Sequence, residues 1–185
     1  LADGLIGQGE PGQAERLLRS RAAEDIRLRH MLARAVMKQD RPEEALALLD
    51  QALGSAPDHA AMRTNRGEVL RLLERHGEAL TDLGRAIARD PNYPEAHFNL
   101  GNILRELGRM QEAVAAYDQA LALAPGDDEI RWNRTIALLC QGRLKEGWAG
   151  YELRWHDSTH MRSYPQPLWD GLADLGGKTV FVWRE

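Results

Sequence analysis

Between Pro94 and Asp127 the apolar residues Phe98, Leu100, Ile103, Leu104 and Leu107 recur at helical spacing, and so do Ala113, Val114, Tyr117, Ala120 and Leu121. Such spacing places one apolar stripe on each of two helices. Gly108-Arg109 separates the stripes, so the helices are predicted to fold back antiparallel across a short turn. Pro125 cannot continue the second helix and turns the chain onward. Gly101, Ala113 and Ala120 leave room for the two axes to approach, and Tyr117 fills the space they leave.

The pattern repeats. Moved back 34 residues, the stretch falls on the segment that starts at Ala60, and moved back again, on the one that starts at Ile26. One residue type then fills each of the columns Ala45/Ala79/Ala113, Ala52/Ala86/Ala120, Pro57/Pro91/Pro125, Glu44/Glu78/Glu112 and Arg41/Arg75/Arg109. A helical hairpin cannot cover its own apolar face, so such units must stack, and about three are needed for stability.

These columns resemble the tetratricopeptide repeat family. The resemblance implies an all-α chain, a right-handed superhelix of antiparallel helix pairs, with units at 26–59, 60–93 and 94–127. Residues 1–25 read as a degraded or partial repeat: Pro11 suits a helix start, while Ala14 precedes Ala45 by 31 residues, a slip of three. Residues 128–157 read as an atypical fourth unit. Arg143 and Glu146 keep their columns there, but Gly147 replaces the alanine and Trp148 and Trp155 replace aliphatic residues.

Beyond residue 157 the helical pattern stops. Residues 158–185 read as a Pro- and Gly-rich linker followed by a strand-like run, Lys178 to Trp183, the first strand of a further domain. Leu168 and Trp169 are expected to pack on the aromatic fourth unit, which is also a candidate surface for self-association. The stretches EGWAGYELRW, PLWDG and GKTVFVW resemble the junction in bacterial proteins that join such repeats to a glycosyltransferase-like domain. That resemblance implies an alternative role, recognition of the acceptor for a catalytic domain outside this chain.

Composition narrows the function classes. A net charge of −4 argues against nucleic-acid binding through phosphate contacts. The single cysteine, Cys140, excludes an intrachain disulfide framework and a Cys-rich zinc site. No apolar run approaches the ~20 residues of a membrane span. No secretory leader pattern opens the chain, and a cytoplasmic location is the expectation.

Candidate chemistry is sparse, and no catalytic residue, cofactor or metal is expected. Gly171 to Thr179 misses the phosphate-loop spacing by one residue and runs into a strand where a helix is needed. His156 and His160 have no third ligand. The Asn133-Arg134-Thr135 sequon falls inside a predicted helix.

The informative polar feature is a ladder, Asn65, Asn99 and Asn133, spaced by 34 residues on successive first helices. The family resemblance places this column on a concave groove, where carboxamides hold the backbone of an extended peptide. A carboxamide offers donors and an acceptor and so pairs with main chain of any sequence. The competing reading is a filler column satisfied by water. Arg34, Arg71, Phe98, Asn102, Arg105 and Trp132 are expected on the same groove, with Thr64 and Glu68 beside Arg71. It would run from a basic first unit to an apolar fourth, suited to a protein or extended peptide with an acidic and a hydrophobic part. Glu95 and Asn99 stand where a clamp for a C-terminal carboxylate would need cations.

Overall fold

The computed structural model describes residues 2–19, 21–22 and 25–152. They form helices and no strand: α1 (Ala2–Gly7), α2 (Pro11–Arg19), α3 (Ile26–Met37), α4 (Pro42–Ser55), α5 (Ala60–Leu72), α6 (His76–Arg89), α7 (Pro94–Glu106), α8 (Met110–Leu123), α9 (Asp128–Cys140) and α10 (Leu144–Glu152). Leu1–Tyr151 is one compact unit and Glu152–Glu185 a second. The linker and strand expected at 158–185, and the docking of Leu168 and Trp169, lie outside the described residues.

Local chemistry sets the helix ends. The carboxylates of Asp25 and Asp127 accept from the backbone N–H of Arg27 (2.7 Å) and Ile130 (3.0 Å), capping α3 and α9. Pro42 and Pro94 open α4 and α7, where a missing N–H costs nothing. Helices α4, α6 and α8 stop two residues before Pro57, Pro91 and Pro125.

The invariant Arg and Glu columns have one explanation. At the start of each second helix the arginine grips the glutamate three residues on. Arg75 donates to Glu78 at 2.7 and 2.8 Å, Arg109 to Glu112 at 2.7 Å twice, and Arg143 to Glu146 at 2.9 and 2.6 Å. Arg41 reaches Glu44 through one amino group only, its other amino group donating to Glu15. The glutamate also sits in the first helical turn, where the helix dipole favours negative charge. Hydrogen bonds from their arginines lower the carboxyl pKa of Glu78, Glu112 and Glu146.

The turn inside each unit needs a left-handed residue, and again the period shows. Asp40, Glu74, Gly108 and Gly142 have φ of 57°, 57°, 74° and 75°. The last two are glycines, which adopt that conformation freely; the first two are not.

Packing follows chain order, each helix lying against the next from α1 to α9. The first helices α3, α5, α7 and α9 also touch one another in succession, while among the described residues the second helices α4, α6 and α8 do not. An array close-packed on one side and splayed on the other curves, so the first helices line its inner face.

Close approach within units rests on paired columns. A Cβ added to Gly67 would lie 2.9 Å from Leu83 Cγ, and one added to Gly101 would lie 2.5 Å from Tyr117 Cε1. Tyr117 is fully buried in that space, beside Ala113 and Ala120. In the last pair the glycine changes helix. Thr135 occupies the place of Gly101, and Gly150 on α10 supplies the gap, a Cβ there running into the Thr135 hydroxyl. Tyr151 stands 34 residues after Tyr117 and has moved to Trp132 and Trp148, with ring centroids 5.4 and 5.3 Å apart.

Ion pairs fix neighbouring units. Asp50 meets Arg66 at 2.7 Å, Arg66 meets Asp82 at 3.1 Å, and Asp82 meets Arg63 at 2.8 Å. Arg63 and Asp82 are 9% and 5% exposed in their side chains, so each neutralises a charge that burial would otherwise make costly. Two units on, Asp118 and Arg134 repeat the Asp50–Arg66 pair at 2.5 Å. At the intervening junction Gly84 and Leu100 hold those places. At the start of the array Glu15 of α2 accepts from Gln39 (2.7 Å), Arg41 (3.0 Å) and Arg19 (2.5 Å), tying α2 to the first regular unit. Burial opposes its ionisation, but the hydrogen bonds outweigh it and bring the carboxyl from 4.5 to about 2.

Candidate functional site: the inner helical face

The inner face is built from one stripe of each first helix, and its side chains are linked between units. Asn65 of α5 meets His30 of α3 at 2.6 Å, and Arg71 of α5 reaches Glu106 of α7 at 2.5 Å. Both pairs are 35 residues apart, one period plus one, which is the offset that brings neighbouring first helices together. Arg71 also donates to Glu68 at 3.0 and 2.8 Å. His76 lies 4.0 Å from the second oxygen of Glu106. The hydrogen bonds it donates to Glu68 raise the Arg71 pKa further above its ordinary value, so the cation expected there is real but already held by two carboxylates.

The asparagine ladder is uneven. Asn65 is engaged with His30, whose ring lies 6.0 Å from that of His59. Asn133 turns back along α9 and donates to the carbonyl of Glu129 at 3.0 Å. Asn99, half-buried between them, makes no hydrogen bond among the described residues. Thr64 departs from expectation: it is 1% exposed and its hydroxyl donates to the Ala60 carbonyl at 3.0 Å, so it faces the helix interior. The sequon hydroxyl, Thr135, is likewise buried and donates to the Arg131 carbonyl at 2.9 Å.

Phe98, Asn102 and Arg105 follow one another along α7 at four- and three-residue steps and share a face. Phe98 packs against Tyr117, ring centroids 6.0 Å apart. The Tyr117 hydroxyl donates to Asn102 Oδ1 at 2.8 Å. Burial pushes the tyrosine's pKa up, and a hydrogen bond from Arg105 pulls it back. This second-helix residue escaped the sequence reading as a site element, because its spacing marks it only as core.

At the two ends the face changes. Arg34 on α3 acts on the phenol of Tyr93, whose pKa burial raises and Glu95 raises further, against the arginine. Trp132 on α9 is 39% exposed and Trp148 on α10 is 52% exposed, with Tyr151 between them. Cys140 ends α9, exposed and free. Among the described residues no group of three or more His, Cys, Asp or Glu could hold a metal ion, and no helix is long and apolar enough to cross a membrane.

Stacked 34-residue helical hairpins, curved with their first helices inside, define a repeat solenoid. Tetratricopeptide repeat models match residues 30–94 and 73–128, and a further one matches residues 1–20. Those matches span more than half of the chain, which belongs to the tetratricopeptide repeat family. Among solved structures, TTC0263, a thermophilic TPR protein of Thermus thermophilus, is 26% identical, with a TM-score of 0.75 over 85% of this chain and 88% of that one. MamA (41-end) from Desulfovibrio magneticus RS-1 is 18% identical, with a TM-score of 0.70 over 86% and 93%, and shares the fold. No curated protein matches the chain.

Proposed function

We propose that the chain is a non-catalytic scaffold that binds an extended segment of a partner protein along the inner face of α3, α5, α7 and α9. One observation carries this reading: the centre of that face, on α7, combines an open carboxamide with an aromatic ring. Asn99 makes no hydrogen bond among the described residues, so its donors and acceptor serve a passing backbone. Phe98 and Trp132 lie one period apart and supply apolar anchors. Asn65, Asn133, Arg34, Arg71, Asn102 and Arg105 complete the lining, Asn65 and Arg71 as groups already oriented by His30, Glu68 and Glu106. Aromatic and arginine anchors of this kind dominate binding at protein interfaces.

A second reading, acceptor recognition beside a glycosyltransferase-like domain, rests on the junction sequence, most of it outside the described residues. The test of the first is a selection of binders from an acetylated, amidated peptide library, followed by Asn99→Ala. Binding that weakens several-fold with the fold intact supports the groove, since each lost neutral hydrogen bond is worth about 0.5–1.5 kcal/mol. Unchanged affinity removes the carboxamide from the account.

A further inference from the structure

The two arginines at the centre of the inner face differ. Arg71 is held by Glu68 and Glu106, whereas Arg105 has no carboxylate within ion-pair distance among the described residues. Its Nε is buried without a hydrogen-bond partner. Asn102, one turn back on α7, has its carbonyl oxygen taken by the Tyr117 hydroxyl at 2.8 Å.

The direction of that bond is fixed by chemistry. An amide oxygen can only accept, so the phenolic proton of Tyr117 goes to Asn102. Asn102 therefore keeps Oδ1 toward the tyrosine and its N–H groups remain for something else. Two donor groups one helical turn apart call for a ligand that only accepts, and a carboxylate meets that need with charge as well. Nearby charges permit it. Arg71 and Arg105 balance Glu68 and Glu106, so an incoming carboxylate meets no uncompensated acid among these four.

We propose that Asn102 and Arg105 form an acidic-residue subsite, taking a Glu or Asp side chain of an extended partner segment whose apolar side chain about four residues away rests on Trp132. The spacing follows from packing: α7 and α9 are in contact, adjacent helices lie about 8–10 Å apart, the one-period-plus-one offset sets Trp132 beside His97, about 8–12 Å along the axis from Asn102 and Arg105, and an extended chain advances about 3.3 Å per residue. This rests on the groove reading and moves the acid-binding part of it from the basic first unit to the third.

The test uses labelled dodecapeptides, acetylated and amidated so that only side chains carry a carboxylate. Each holds one Glu and one Leu, separated by one to five residues in both orders, and binding is read by fluorescence anisotropy. Affinity should peak at a separation of four, and Glu→Gln in the peptide should weaken it about tenfold, as loss of a charge-assisted bond does. Arg105→Gln should erase that Glu-over-Gln preference while the Gln peptide binds as before. Asn102→Asp, which keeps the shape and reverses the donor character, should erase it too, and serves if Arg105→Gln melts early. A preference that survives both substitutions overturns the subsite while leaving the groove in place. Failure of every peptide to bind the wild type, or binding untouched by Phe98→Ala with Asn99→Ala, overturns the groove and the subsite together.

Discussion

Tyr117 is buried against Gly101, in a gap so tight that a single added methyl would lie 2.5 Å from its ring. The glycine sits in mid-helix, where alanine is intrinsically better by about 1 kcal/mol. Packing and propensity therefore pull in opposite directions, and overpacking, which costs about 1–3 kcal/mol, should win by up to about 2 kcal/mol. Gly101→Ala should lower the melting temperature, whereas Gly84→Ala, in mid-helix with open space around it, should raise it. Similar shifts of one sign in both would mean the gap is not close-packed.

The left-handed column gives a second, opposite prediction. Glu74 has φ 57° in a position that glycine fills in the third and fourth units. Its backbone N–H donates to the Arg71 carbonyl at 2.9 Å, a bond that glycine keeps. Relief of about 1–2 kcal/mol of strain exceeds the extra chain entropy of glycine, about 0.5–1 kcal/mol. Glu74→Gly should therefore stabilise by several tenths of a kcal/mol, and Gly108→Ala should destabilise, in denaturant titrations.

Glu15 makes the start of the array sensitive to acid. Its carboxyl is held at about 2 in the folded chain against an ordinary 4.5. A lowered folded-state pKa gives stability that is present above pH 4.5 and lost as pH falls toward 2. Glu15→Gln should cost about 1–3 kcal/mol at neutral pH, and its melting temperature should vary less than the wild type's across that window. Hydrogen exchange should show the loss first in α2 and the turn after α3, where Glu15 and Gln39 lie. A parallel pH dependence in the variant would assign the acid sensitivity elsewhere.

The ladder should respond unequally. Asn65 and Asn133 each have an internal partner, so their substitution by Ala should weaken peptide binding less than Asn99→Ala does. Equal losses at all three, by titration calorimetry with a selected peptide, would mean that the internal bonds break when ligand arrives.

The hairpins and their stacking were legible because the period is written in residues that physics restricts: the small residues at Gly101 and Ala113, the helix-ending Pro125, the bulky Tyr117. The Arg41 and Glu44 columns were visible as repetition, but their cause, an arginine gripping the first-turn glutamate, needed the helix ends. The inner face was less readable. Position in a repeat predicts which side a residue faces, and so gave Phe98, Asn102 and Arg105. It does not reveal pairing: Arg71 was placed on the groove beside Glu68 but without Glu106, its partner 35 residues away. Thr64 was misplaced because its hydroxyl finds the carbonyl of its own helix. In the last pair Gly150 takes over the gap from the Gly101 column, an exchange that no column comparison shows.

The central claim, that the inner face of the first helices receives a partner chain, is tested most directly by amide chemical-shift mapping. A peptide with Glu and Leu four residues apart should shift resonances of α5, α7 and α9, centred on Asn99, Asn102, Arg105 and Trp132. The Arg75–Glu78 and Arg109–Glu112 pairs at the starts of the second helices should stay unmoved. Shifts centred on those second helices, with the α7 residues unaffected, would contradict it.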